Sequence, residues 1–177
     1  NLNSSPQQSL EAIRIINKYG AERHNGIPRF LPGINILFGL IGENRQTHKC
    51  NLRALGQILE EGLMLRRINI RQVVAFPGTQ LYEEAGMKFI RKNKKHYYRW
   101  REDIRQQIDV PMLQRVFPAG TVLKNVLMEI YDGNTTFGRQ LGTYPVIIGI
   151  KGRHRLRTFC DVRIDSHMKR SLTGSLI

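Results

Sequence analysis

The sequence has little cysteine. Cys50 and Cys160 are its two thiols, each alone and far from the other, which excludes a disulfide framework and a CxxC metal pair and points to a reducing compartment, with the cytoplasm as the expected location. Long apolar runs are missing as well. The longest, Ile34 to Ile41 and Val146 to Ile150, are strand-sized and interrupted by Asn or Gly, well short of the roughly 18 residues of a membrane span, so no membrane partner is expected. The chain opens Asn1-Leu2-Asn3 without an initiator Met and without the charged, apolar and small-residue series of a signal peptide, as expected of a fragment or a processed chain. Neither GxGxxG nor GxxxxGK[ST] occurs, which removes support for a Rossmann-like nucleotide binder.

Acidic residues are scarce: 14 against 28 Lys and Arg, a formal net charge of +14 and a pI of about 10.4. An excess of that size concentrates polyanions near the surface, so nucleic acid is the first partner to consider. A thermophilic ion-pair surface would carry matching Glu, which is absent here. With 177 residues, 41% of them hydrophobic, the chain can bury a core as one domain or two small ones.

Ser4-Ser5-Pro6 is a helix-start signal, followed by Leu10, Ile13, Ile16 and Asn17 at helical spacing until Gly20. The polar turn His24-Asn25-Gly26 leads to Gly33–Leu40, a nearly unbroken apolar run that predicts a parallel strand buried on both faces. Leu52, Leu55, Ile58, Leu59 and Leu63 predict a second helix, closed by Gly62. Arg67 to Phe76 reads as a second strand stopped by Pro77-Gly78, and a third helical region runs from about Gln80 past Lys95, as far as Gln107. The expected fold class is therefore α/β, with βα units of a partial TIM-type barrel over residues 1–110. Beyond Pro111 the segments Thr121 to Tyr131, Thr143 to Ile150, Arg157 to Ile164 and Ser171 to Leu176 predict a small all-β barrel of the OB type over 111–177, with the boundary between Val110 and Val116.

Ile34 to Thr47, an apolar strand ending Gly39-Leu40-Ile41-Gly42-Glu43-Asn44, resembles the fifth barrel strand and following loop of radical S-adenosylmethionine enzymes, with Ile41 where Pro is usual and Asn44 where Thr is frequent. Ile68 to Val73, leading to Phe76-Pro77-Gly78-Thr79, resembles the family's sixth strand. Glycine at a strand end admits backbone close to a flat adenine, and polar side chains at the C-terminal ends of parallel strands face a ligand crevice. Asn35, Gly39, Gly42, Glu43, Asn69, Arg71 and Gln72 are thus candidate cofactor-binding residues. Alternatively Gly39 and Gly42 shape a turn, Glu43 caps a helix and Asn69 satisfies nearby backbone. The resemblance implies S-adenosylmethionine and a 4Fe-4S cluster in a full-length protein whose upstream half supplies CxxxCxxC. That motif is absent here, so this chain alone is expected to bind no cluster and to be inactive.

The C-terminal part resembles TRAM domains, the β-barrels of RNA methylthiotransferases, through Gly120 to Val126, Thr136-Phe137-Gly138-Arg139, Tyr144 to Ile150, Asp161 to Ile164 and Ser171-Leu172-Thr173-Gly174. OB-type barrels combine a basic groove with aromatics on which bases stack. Phe137, Arg139, Tyr144, Lys151, Arg153, Arg155, Arg157, Lys169 and Arg170 supply those types, or else are core aromatics and solvated loop charge. Upstream, Lys88 to Arg101 is the densest basic stretch. Its Lys92, Lys94 and Lys95 are candidate RNA contacts, or one solvated face. Two functions follow as expectations: the C-terminal portion of a methylthiotransferase-like radical enzyme acting on RNA, or a non-catalytic nucleic-acid-binding module on a degenerate barrel platform.

Overall fold

The computed structural model describes residues 5–24 and 26–177; Ser4 of the first helix-start signal and Asn25 of the His24-Asn25-Gly26 turn lie outside the described residues. The Ser5 hydroxyl accepts from the Gln8 amide while the Gln8 side chain accepts from the Ser5 amide, a capping box that starts α1 (Pro6–Gly20). Asn17 is buried on this helix. Its amide nitrogen donates to the Ile13 and Met64 carbonyls, and its oxygen accepts from the Met64 amide at 2.8 Å, tying the helix to the chain just before Arg67. The short strands β1 (Arg23–His24) and β2 (Ile27–Pro28) pair antiparallel.

β3 (Gly33–Phe38) and β4 (Arg67–Gln72) pair in parallel, joined by α2 (Arg45–Glu60), which Asn44 caps. Phe38 and Ile68 are buried and Ile34, Ile36 and Ile70 pack against the core, whereas Asn35, Leu37, Arg67 and Arg71 face outward and are exposed. The expected partial TIM-type barrel does not form. Among the described residues this sheet has two strands and one β-α-β unit, and its outer face is open where a strand buried on both sides had been expected. Two local causes are visible. Gly39, at φ +96°, turns β3 away after Phe38, so Val74 and Phe76 find no partner beyond Gln72 and are 64% and 62% exposed. After Thr79 the apolar positions recur at helical spacing until Phe117, so no third β-branched run exists to extend a parallel sheet.

The region expected as one helix is divided. α3 (Gln80–Ala85) stops at Gly86, whose φ of +52° suits glycine; α4 (Lys88–Ile104) follows, then a π-helical turn at Arg105–Asp109 and α5 (Val110–Val116). Pro111 has no amide hydrogen to give the preceding turn, and the helix widens just before it. Ile90, Asn93, Trp100 and Ile104 form the buried stripe of α4.

The C-terminal part is a closed five-stranded barrel of β5 (Val122–Asp132), β6 (Thr135–Gln140), β7 (Ile148–Lys151), β8 (Phe159–His167) and β9 (Leu172–Leu176), in the spatial order β5-β6-β7-β9-β8 with β8 returning to β5. β7 and β9 are parallel; the other neighbours are antiparallel. β6 is a strand that the sequence patterning did not separate, and β7 starts only at Ile148, after a local turn in which the Val146 amide donates to the Tyr144 carbonyl. Leu123, Val126, Met128, Ile148, Ile150, Val162, Ile164 and Leu172 fill the interior. Closure is tight at Gly138 and Gly174, where an added Cβ would lie 2.6 and 2.5 Å from the carbonyl oxygens of Leu127 and Arg163. The core is continuous from Ile13 and Leu55 through Trp100 and Phe117 into the barrel. Arg115 fastens α5 to α2 by donating to the Leu59 carbonyl at 2.8 Å.

Candidate nucleic-acid interface

From Lys151 to Cys160 exposure alternates residue by residue: Lys151, Arg153, Arg155, Arg157 and Phe159 face solvent, while Gly152, His154, Leu156, Thr158 and Cys160 turn partly inward. The connection between β7 and β8 is thereby a comb of basic side chains. It is pinned rather than loose. The buried Thr136 hydroxyl donates to the Gly152 carbonyl at 2.7 Å and accepts from the His154 amide at 2.9 Å, the Tyr131 hydroxyl donates to the His154 carbonyl at 2.7 Å, and the Arg157 amide donates to the Met128 carbonyl at 2.8 Å. Arg153 lies over the Tyr131 ring, 5.2 Å from its centroid.

Beside the comb the outer barrel face is partly apolar. Phe159 is 55% exposed and pairs across the sheet with Leu127, which in turn pairs with Arg139; Ile130, 59% exposed, pairs with Phe137. A cleft of about 540 Å³ opens next to Phe159, with Lys124, Asn125, Gln140 and Tyr144 in its wall. Asn125 holds φ +55° at a bulge of β5, its amide donating to Asp161 at 3.0 Å.

The predicted RNA contacts fare unequally. Lys151, Arg153 and Arg155 come together on the comb. Phe137 and Arg139 stand on the same outer face but have other work: the Phe137 ring covers Gly149, where a Cβ would lie 3.1 Å from it, and Arg139 Nε is 2.7 Å from the Glu129 carboxylate. Lys92, Lys94 and Lys95 are exposed on α4, outside the barrel. Lys169 and Arg170 lie apart from the comb, in a second cleft of about 530 Å³ between β4 and the barrel. Tyr144 is no exposed stacking platform; it stacks on Phe117 at 5.0 Å, and burial pushes its phenol up to about 12. Phe159 and Lys124 were not among the expected contacts. The alternation Lys-Gly-Arg-His-Arg-Leu-Arg-Thr-Phe, charged or aromatic at every second place, is the signal that marks Phe159; Lys124 lies outside it, on β5.

The proposed cofactor residues do not converge. Asn69 Nδ2 donates to Asn35 Oδ1 at 2.9 Å on the open face of the β3–β4 pair, near Arg71, while Gln72 lies on the other face. Glu43 is buried in the turn between β3 and α2. One of its oxygens accepts from the Gly39 amide at 2.6 Å and the other from Asn93 Nδ2 at 3.2 Å; burial raises its pKa against those hydrogen bonds. Gly39 backs onto α4, where a Cβ would meet Ile90 at 2.7 Å and Val73 at 2.9 Å, and Gly42 holds φ +81° facing open space. Gly39, Gly42 and Glu43 thus shape a strand-to-helix turn, whereas Asn35, Asn69 and Arg71 lie along the open face of the β3–β4 pair. Among the described residues no group of three His, Cys, Asp or Glu is placed to hold a metal. Nor is any described helix long and apolar enough to cross a membrane.

No family model matches the chain. An uncharacterized protein of Archaeoglobus fulgidus is 39% identical over 174 residues, covering 98% of this chain and 32% of that protein. An uncharacterized protein of Methanocaldococcus jannaschii is 41% identical over 180 residues, covering 100% of this chain and 33% of that protein. The chain thus spans about a third of the length of these relatives. Both of its parts, the β-α-β unit and the barrel, fall inside each match. Neither description bears on the radical-enzyme or TRAM resemblance.

Proposed function

We propose that this chain is a nucleic-acid-binding module, and that single-stranded RNA runs along the Lys151–Arg157 comb with a base against Phe159. The observation that carries this reading is the pinning of the comb by Thr136 and Tyr131. Preorganised cations do not lose side-chain and loop freedom on binding to the extent that mobile ones do, so their contact with phosphate is retained as affinity. Three features support it. The net charge of +14 supplies long-range attraction; the strand order β5-β6-β7-β9-β8, with β7 and β9 parallel, is that of oligonucleotide-binding barrels; and an exposed Phe adjoins the cations, the combination that single-strand binders use. The catalytic chemistry implied by the radical-enzyme resemblance has no ligand set among the described residues, so any such activity would belong to the rest of a longer protein.

Fluorescence anisotropy with a labelled single-stranded RNA tests the reading. The triple variant Lys151→Ala/Arg153→Ala/Arg155→Ala should bind more weakly, and the slope of log K against log salt should shrink by about 2, since each single-strand phosphate contact contributes about 0.7. Phe159→Ala should weaken binding with the slope unchanged. An unaltered affinity and slope in the triple variant, with its fold intact by circular dichroism, would overturn the proposal.

A further inference from the structure

The second cleft lies where the two parts of the chain meet, and its volume of about 530 Å³ is within the range of small-molecule sites. Basic residues far apart in sequence line it: Arg66 and Arg67 just before and at the start of β4, and Lys169 and Arg170 in the turn between β8 and β9. Two of these are engaged. Arg66 donates to the Thr143 carbonyl at 3.0 Å, and Lys169 pairs with Glu102 on α4. Arg67 and Arg170 are exposed and form no ion pair among the described residues.

With Lys169 paired to Glu102, three cations remain in one concavity, and their repulsion is relieved by an anion. The only carboxyl lining the cleft among the described residues is Asp109. It sits on the π-helical turn, where such widenings often mark functional positions, and burial pushes it up to about 6 against the pull of Arg170 and Arg105. One half-buried carboxylate leaves the cleft cationic, and offers an acceptor for a hydroxyl or amine. The floor is apolar, with Met112, Val146 and Ile147, which suits a flat ring more than a bare inorganic ion. Tyr144 lines this cleft and the one beside Phe159 alike, so the two are neighbours across a single loop.

We infer that this cleft binds a nucleoside 5′-phosphate, with the phosphate against Arg67 and Arg170 and the nucleoside over the apolar floor. Two sources share that chemistry: a free nucleotide and the phosphorylated end of an RNA. The site stands apart from the comb and does not depend on the comb binding RNA.

Isothermal titration of the full chain with adenosine 5′-monophosphate, adenosine and inorganic phosphate tests it. The nucleotide should bind at least tenfold more tightly than either part alone. Arg67→Ala/Arg170→Ala, at exposed positions that leave the fold intact, should weaken the nucleotide at least tenfold and leave an unphosphorylated RNA hexamer within twofold. The comb triple variant should do the reverse. Equal affinity for nucleotide and adenosine, equal affinity for nucleotide and phosphate, or a double variant that binds the nucleotide like the parent would each overturn the inference. A 5′-phosphorylated hexamer preferred over its unphosphorylated form, with the preference lost in the double variant, assigns the site to RNA ends; nucleotide binding without that preference assigns it to the free nucleotide. A comb variant that leaves RNA affinity unchanged would overturn the proposed function and leave this site standing.

Discussion

The Thr136 hydroxyl donates to the Gly152 carbonyl at 2.7 Å from a position with no solvent exposure. One side chain on β6 thereby holds a basic segment that belongs to the connection between β7 and β8. With the His154 amide as its donor, the hydroxyl satisfies two backbone groups that would otherwise be left unpaired. Thr136→Val keeps the shape and removes both bonds, at a cost of about 2 kcal/mol. Denaturant midpoints should fall accordingly, and hydrogen exchange at the His154 amide should accelerate. RNA affinity should drop although no cation has been removed; a variant that binds like the parent would show that pinning is irrelevant to binding.

Arg157 holds φ +60°, a left-handed conformation that costs an L-residue roughly 1–2 kcal/mol. Arg157→Gly relieves the strain and lowers RNA affinity. Thermal unfolding should therefore move up, or at least not down, while anisotropy shows weaker binding. That opposition of stability and affinity is expected where strain is retained for function; a loss of stability would contradict it.

His48 is buried, stacked on Trp100 with ring centroids 5.1 Å apart, and its Nε2 is 3.3 Å from the Asp103 carboxylate. Its Nδ1 has no partner among the described residues. Burial lowers its pKa, more than Asp103 raises it. Between the lowered folded value and the ordinary 6.5 the unfolded chain holds more protons than the folded one, so the stability contributed here is present above 6.5 and is lost as pH falls through the folded value. The melting temperature of the parent minus that of His48→Phe should shrink on going from pH 7.5 to pH 5; a constant difference would place the imidazole outside the titration.

Asp109 works in the opposite sense. Its pKa is raised from 3.8 to about 6, so the folded chain holds the extra proton in that interval and stability declines as pH rises through it. Asp109→Asn should stabilise the protein at pH 7.5, by at most about 3 kcal/mol, and have little effect at pH 4. Chemical denaturation at the two pH values decides this.

Gly39 and Gly42 separate packing from conformation. Gly39→Ala forces a methyl against Ile90 and Val73 in addition to the positive φ, and should cost about 2 kcal/mol or more. Gly42→Ala meets open space and should cost only the conformational term, about 1 kcal/mol. Equal costs would mean that α4 yields at Ile90.

The sequence by itself determined what local chemistry decides. The Ser5 cap, the helical spacing of α1 and α2, the two apolar runs that become β3 and β4, and the change of character after Pro111 are all properties of neighbouring residues. So is the excess of basic charge. What it left open depended on who meets whom. Whether β3 and β4 continue into a barrel rests on partners outside either strand, and the turn at Gly39 with no third run after Thr79 leaves them a pair. Glu43 looked like a ligand-facing carboxylate because a strand end usually faces a crevice; only packing shows both its oxygens taken by Gly39 and Asn93. The alternation from Lys151 to Phe159 was written in the sequence, yet its rigidity comes from Thr136 and Tyr131, which reach it from the neighbouring strands β6 and β5. The cationic cleft joins residues about a hundred positions apart in the chain, and no periodicity carries a contact over that distance: charge is additive along a chain, whereas its concentration in one place is a property of the fold.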